Sequence, residues 1–428
     1  MSNITHFPRQ VRPISDPLGF YVRPEYRDQR ALLEFFASGD AAISGVVFNP
    51  TYLAKHGELL EHVIDRRIEA ILDTKTAEAS TPGGYTEKLG NLTWGKKRQL
   101  TEDDFLGKNG KNLVNTISSF SSNNGFTQVI APTHYINSAI SPWLAIDIKN
   151  ASELRNQLAR TSIRKIALIY SLCIPYSLLR NDVERAMLIE KIKNVSADLL
   201  WLRIDNLGSD ATAAKTCNYI KAASDFHSLG IPVIADQIGG TPGLALLAFG
   251  AVGGLSHGIT LRERFSASHW HKEKKGEGRI PPRKIYVPEL DLMMDAKQAG
   301  KLLEEKPRLR SLFGCSDKKC CPRGVVDTIN NPVRHFLYQR ARQIGTLDNI
   351  PETLRPSNYL NKILAPVTNR VVKATNLDVG DVDLTKKLQN HRQRLDSIRT
   401  ALGDRIENNP PISYSLHPVT RAAREAKG

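Results

Sequence analysis

Three aspartates each close a short apolar run: Asp73 in EAILD, Asp205 in LLWLRID and Asp236 in PVIAD. A carboxylate placed there either caps the next element or faces a site lying above the strand ends. Carboxylates that share a partly buried pocket push each other's proton affinities apart and can divide into a nucleophile and an acid/base. A second constellation lies in FGCSDKKCCPRGVVDTINNPVRH (313–335), where Cys315, Cys320, Cys321 and His335 supply three thiolates and one imidazole. That is the ligand count of a Cys3His zinc site. Adjacent cysteines both ligate only if the chain turns sharply between them, and Pro322 and Gly324 stand where such a turn falls. Four protein ligands close the coordination sphere, so the zinc is expected to be structural and to clip the C-terminal part of the chain onto what precedes it. Five cysteines in 428 residues argue against a disulfide framework and for reduced or metal-bound thiols.

These groups need elements to carry them. Apolar, β-branched runs recur at GFYVRP (19–24), GVVFNP (45–50), EAILDTKT (69–76), TQVIAPTH (127–134), RKIALIYSL (164–172), DLLWLRIDN (198–206), IPVIADQIGG (231–240) and GGLSHGI (253–259), with amphipathic stretches between them. Near-continuous apolar strands alternating with helices mean a parallel sheet covered by helices. Eight such units predict an α/β fold of the (β/α)8, TIM-type barrel class, with an open doubly wound sheet as the alternative. QIGGTPG (237–243) lacks the G-x-G-x-x-G spacing, so no dinucleotide fingerprint is present. In a barrel, chemistry belongs at the C-terminal strand ends. Those ends hold Asn49, Asp73, Lys75, His134, Asp205, Asn206, Asp236, Gln237, Ser256 and His257. The barrel is expected over residues 1–300, a zinc-binding subdomain over 301–347 and a helical extension with a charged tail over 348–428.

Lys and Arg outnumber Asp and Glu by 59 to 44, a formal net charge of +15 that favours a polyanion as partner. Two basic insertions flank the expected mouth, at 81–125 and 263–284. In the first, Lys88, Lys96, Lys97, Arg98, Lys108 and Lys111 are interleaved with Trp94 and Phe105, a pattern suited to gripping phosphates and stacking on exposed bases, or to a solvated insertion. In the C-terminal run LTKKLQNHRQRLDSIRTAL (384–402), Lys386, Lys387, Arg392, Arg394 and Arg399 form a basic face. Leu388, Leu395, Ile398 and Leu402 form an apolar one suited to packing on the barrel. No apolar run is long enough to cross a membrane and the N-terminus carries no secretory h-region, so a soluble, cytoplasmic protein without a membrane partner is expected.

Strand-end aspartates followed by a Cys3His clip and a C-terminal helix resemble the tRNA-guanine transglycosylases, most nearly the branch that exchanges guanine in DNA for 7-cyano-7-deazaguanine. The resemblance covers the layout of about residues 19 to 345. It implies a pentosyltransferase of the base-exchange type, working by double displacement through a covalent aspartyl intermediate. The partners implied are DNA, or alternatively tRNA, a 7-deazaguanine base, and partner proteins of a DNA-modification system. It further implies Asp236 as nucleophile and Asp73 as acid/base; Asp205, Asn206 and Gln237 are the residues best placed to read a purine edge, and His257 to orient a carboxylate or contact phosphate. Three motifs depart from the family's pattern: C-x4-CC stands for C-x-C-x2-C, LDTKTAE for D-S-G-G, and Ser256 for the nucleophilic aspartate that ends the eighth strand. The last departure places the nucleophile on the neighbouring strand, or leaves a nucleic-acid-binding homologue without catalysis. A barrel enzyme acting on a small anionic metabolite is a further alternative, one that predicts no salt-sensitive binding of nucleic acid.

Overall fold

The structure, a computed structural model, describes residues 17–39, 43–161, 165–272, 281–377 and 379–408. Eight parallel strands close into a barrel: β1 Gly19–Arg23, β2 Gly45–Phe48, β3 Glu69–Leu72, β4 Gln128–Ile130, β5 Ala167–Pro175, β6 Leu199–Asp205, β7 Val233–Asp236 and β8 Gly254–Gly258, with β8 pairing back onto β1. All eight are runs named in the sequence reading. Both faces of each strand are covered, which is why the runs read as continuously apolar. The register fixes two cores. Inward positions, among them Tyr21, Ile71, Trp201 and Ile234, fill the barrel as a cluster of their own. Outward positions such as Phe20, Val46 and Leu255 pack against the surrounding helices.

The 81–125 segment is not the polar flap its composition suggests. It holds the helix Gly107–Asn123, which buries Leu113, Val114 and Ile117 on one face. Buried Ser118 and Ser121 disguise that face in the sequence, and Ser121 Oγ satisfies itself on Ile117 O at 2.8 Å. Trp94 and Phe105 are buried, with Trp94 Nε1 donating to Thr74 O at 3.0 Å. Lys96 and Arg98 converge on buried Asp104 at 2.5 and 2.6 Å. The two aromatic faces are therefore committed to the fold and cannot stack on bases.

After the barrel come the hairpin Ile285–Val287/Leu292–Met294 and a set of helices ending with Val382–Asn408. Leu388, Leu395, Ile398 and Leu402 of that last helix are fully buried, as an amphipathic packing face requires. Two of its basic residues serve packing as well: Arg394 Nη1 donates to Ser209 O at 2.6 Å and Lys387 Nζ to Met293 O at 2.8 Å. The expected tail, 409–428, lies outside the described residues. Among the described residues no helix is long and apolar enough to cross a membrane.

If Trp94 is a core residue, Trp94→Ala lowers unfolding stability by about 3 kcal/mol or more, read from a denaturant midpoint. Any salt-dependent binding of nucleic acid is expected to be the same in that variant as in the wild type. Loss of binding at unchanged stability would restore the flap reading.

Candidate active site and metal cluster

The inward ladder that is apolar deep in the barrel turns charged at its C-terminal end. Arg23 closes β1, Arg203 lies two residues before the end of β6, Asp236 closes β7, and Asp73 directly follows β3. Arg23 Nε and Nη2 donate to Asp236 Oδ1 and Oδ2 at 2.9 and 3.0 Å, a bidentate pair. Arg23 Nη1 reaches Asp73 Oδ2 at 2.6 Å. Arg203 adds Nε to Asp236 Oδ2 at 2.8 Å, and its Nη2 stands 3.8 Å from Asp73. Lys75 Nζ sits 3.3 Å from Asp73 and donates to Glu78 at 2.9 Å. One guanidinium thus bridges the two aspartates singled out from the sequence.

This packing sets their protonation. Burial opposes the charge on Asp236, yet Arg203 and Arg23 outweigh it and hold the carboxyl below the usual carboxylate range. Burial likewise opposes charge on Asp73, and Lys75, Arg23 and Arg203 hold that carboxyl well below its usual range. Both are ionised carboxylates at neutral pH. They differ in access. Asp236 has no exposed side-chain surface and both its oxygens are taken, whereas Asp73 keeps 5% exposure and accepts only the Lys75 amide, at 3.1 Å, on Oδ1.

The backbone beside these groups is unusual. Lys75, Asn206 and Gln237, which follow Asp73, Asp205 and Asp236 within two residues, all have positive φ, at 59, 58 and 59°. Left-handed conformations at non-glycine residues cost energy and gather at functional sites. Asp205 does not join the arginine cluster. Its Oδ1 accepts the Ala267 amide at 2.7 Å and its Oδ2 the Tyr135 hydroxyl at 3.3 Å, so it pins the 263–272 segment beside the mouth. Asn206 is exposed on the rim, its backbone N–H donating to Phe265 O and its side-chain Nδ2 to Asp205 Oδ2, each at 3.1 Å. Gln237 is buried and its side-chain amide has no hydrogen-bond partner among the described residues, so its donors and acceptors remain available.

His257 is a correction. It stands next to inward-facing Ser256 on β8, so strand alternation turns it to the barrel's outer side. There its ring packs 5.3 Å from Phe20 and 5.7 Å from Phe336. Burial, reinforced by Arg340, lowers it to about 3. A buried neutral imidazole behind the sheet contacts neither base nor phosphate. Sequence reading missed Arg23 and Arg203, although each is a charged residue inside an otherwise apolar strand and shares the inward parity of Tyr21 and Trp201.

Behind β8 lies the second cluster. The metal-ligating atoms of Cys315, Cys320, Cys321 and His335 all fall within 4.8 Å of one another. Cys315 and Cys320 Sγ are 3.3 Å apart, Cys320 and Cys321 Sγ 3.5 Å, and Cys321 Sγ and His335 Nδ1 3.3 Å. A tetrahedral thiolate–imidazole site sets its ligand atoms roughly 3.6–3.8 Å apart. The four groups fit a metal ion. Surrounding contacts prepare them for one: His335 Nε2 lies 3.0 Å from Tyr286 O, which fixes the proton on Nε2 and frees Nδ1, and Gln339 Nε2 donates to Cys320 Sγ at 3.2 Å. The turn expected after Cys320 is present, with Gly324 N on Cys321 O at 2.9 Å and Gly324 at φ 66°.

No protein-family model matches the sequence, and no curated protein does. Solved structures with a similar fold include an enolase from Sargasso Sea shotgun sequencing, at 12% identity over 58% of this chain and 56% of that one (TM-score 0.31). Others are the endo-1,4-β-D-xylanase 10B of Clostridium thermocellum, at 9% over 60% and 62% (0.39), and the type I 3-dehydroquinate dehydratase of Clostridium difficile, at 9% over 60% and 91% (0.34). At these scores the likenesses carry no weight on activity.

Asp236→Asn leaves Arg23 and Arg203 buried beside a neutral partner and is expected to cost about 3–5 kcal/mol of stability. The folded-state proton affinities of Asp73 and Asp236 lie below the unfolded value, so their stabilisation is present above about pH 4 and lost as the pH falls further. Denaturant midpoints of the wild type should therefore decline below about pH 4, with a shallower decline in the variant. For the second cluster, metal analysis of the purified protein should find one ion per chain. Cys320→Ser should lower that content, and an unchanged stoichiometry would remove Cys320 from the ligand set.

Proposed function

We propose that the mouth exchanges a base in nucleic acid, most directly guanine in DNA for a 7-deazaguanine such as 7-cyano-7-deazaguanine, with tRNA as the alternative polymer. The observation that carries the reading is the convergence of Asp73 and Asp236 on one guanidinium at the C-terminal strand ends. Base exchange needs an ionised carboxylate that can attack C1′, and a charge-rich mouth set in a protein of net charge +15 suits a polyanionic substrate. The Cys3His cluster just after the barrel matches the layout of the same enzymes. Zinc is the ion its thiolate–imidazole set favours, held by Cys315, Cys320, Cys321 and His335 in a closed, structural role.

The contacts favour a division of labour opposite to the one implied by the resemblance. An attacking carboxylate must be ionised and reachable, which fits Asp73 better than Asp236. Asp73 attacks C1′ as the bond to guanine N9 breaks, giving a glycosyl ester and a guanine anion that takes a proton from water; N9 of the incoming deazaguanine then attacks C1′, giving its proton back to solvent and releasing Asp73 as the carboxylate. Asp236, through Arg23, orients Asp73. Neither aspartate is set up as a proton donor, because a general acid at neutral pH needs a raised proton affinity. Gln237 is placed to read a purine edge with its free amide. C1′ in a duplex is reached only by extruding the nucleotide, at a few kcal/mol.

A second reading, a nucleic-acid-binding homologue without catalysis, is favoured by Ser256. Its hydroxyl faces the mouth where the family has its nucleophile and here only accepts from Arg23 Nε at 3.1 Å. Incubation with radiolabelled 7-cyano-7-deazaguanine and, separately, duplex DNA, single-stranded DNA and tRNA separates the two. Label is expected in DNA and lost in Asp73→Ala. Label in tRNA alone would move the activity to RNA, and salt-sensitive binding without label in any polymer would favour the second reading.

A further inference from the structure

Away from the arginine cluster, three side chains from three elements line up in a relay. Ser80 follows the helix Thr76–Ala79, His134 follows β4, and Asp147 lies in the helix Pro142–Thr161. Asp147 receives residue 134 twice: its Oδ2 accepts the His134 amide at 2.8 Å and its Oδ1 stands 2.5 Å from His134 Nδ1. An ionised carboxylate only accepts, so with Asp147 ionised Nδ1 carries the proton and Nε2 presents its lone pair. Ser80 Oγ lies 3.1 Å from Nε2. The ring cannot swing away, because Trp143 stacks on it at 3.9 Å and Phe105 meets it edge-on at 4.4 Å.

A bland role for Ser80 would be to satisfy the end of its helix. Hydroxyls at helix ends commonly donate to the carbonyl three or four residues back, as Thr81 Oγ1 does to Glu78 O at 3.0 Å. Ser80 does not do this. Its hydroxyl has the imidazole as its one side-chain partner among the described residues, while its carbonyl is held by Gln99 Nε2 at 2.8 Å. His134 and Asp147 are almost wholly buried, at 2% and 1% exposure, and Ser80 is partly exposed. Of the three residues Ser80 is the one with appreciable exposure.

We infer that Ser80, His134 and Asp147 form a second reactive site, with Ser80 an activated nucleophile toward small carboxylic esters. The geometry meets the requirement for such a unit: nucleophile to base at 3.1 Å, within about 2.6–3.2 Å, and the base hydrogen-bonded to an orienting carboxylate at 2.5 Å. Ser80 Oγ bonds to the ester carbonyl carbon as its proton passes to His134 Nε2. The tetrahedral adduct collapses, the C–O bond to the alcohol breaks, and the imidazolium returns the proton to the departing alkoxide. Water, deprotonated by the same nitrogen, then splits the acyl-serine to carboxylic acid and free Ser80. The balance needs only ester and water.

The test uses the full-length protein and a fluorophosphonate probe, with peptide mass spectrometry to locate the adduct. The expected result is a phosphonylated Ser80 in the wild type and no adduct at this position in Ser80→Ala. In Asp147→Asn, labelling should slow by about 100-fold or more, the order expected for loss of an oriented general base. Circular dichroism of each variant checks folding, and Ser80→Ala, at a partly exposed position, stands if Asp147→Asn does not fold. Hydrolysis of p-nitrophenyl acetate gives a second readout, expected to fall with Ser80→Ala. No adduct on Ser80, or ester hydrolysis unchanged in Ser80→Ala, overturns the inference.

Discussion

The Arg23 guanidinium is the contact on which the mouth depends. Ionised groups inside a barrel are tolerated only when each has a partner, because the cost of removing them from water is otherwise several kcal/mol per ion. Arg23 spans the barrel's top from β1 to Asp236 on β7 and to Asp73 beyond β3. Arg203 from β6 and Lys75 complete the balance. Strand closure makes this possible. The β8-to-β1 pairing brings Arg23 beside Ser256 and Asp236, two neighbours that an open sheet would leave at the edge opposite β1.

That layer is braced from outside. The helix Pro332–Asp348 carries His335 of the metal cluster, Phe336 against His257 behind β8, and Arg340, whose Nη2 donates to buried Glu263 at 2.7 Å. Glu263 opens the segment that Asp205 pins beside the mouth through Ala267. A continuous set of contacts thus runs from the cysteines to the site.

Eight strands were legible in the sequence because a parallel barrel buries both faces of each strand, and such runs stand out as near-continuous apolar segments. The Cys3His cluster was legible because three cysteines and a histidine fall within 21 residues (315–335). Three features were hidden, each for a physical reason. The helix Gly107–Asn123 buries Ser118 and Ser121, the latter bonded to its own turn, so its apolar face reads as polar. Trp94 and Phe105 sit among lysines in the sequence, yet Lys96 and Arg98 are drawn to Asp104 and the aromatics turn inward. His257 differs from Ser256 by one residue, and one residue in a strand is a change of face. Arg23 and Arg203 show the converse: strand parity, applied to each charged residue within an apolar run, points them at Asp236.

The central claim is that Asp73 is a reachable, ionised nucleophile held by Arg23 and Lys75. Mixing the protein with guanine-containing single-stranded DNA in the absence of an incoming base, then denaturing and resolving the mixture by mass, tests it most directly. The account predicts a covalent protein–DNA species whose peptide adduct maps to Asp73, and which disappears when the deazaguanine base is added. An adduct on Asp236, or none under conditions where DNA is bound, would contradict it.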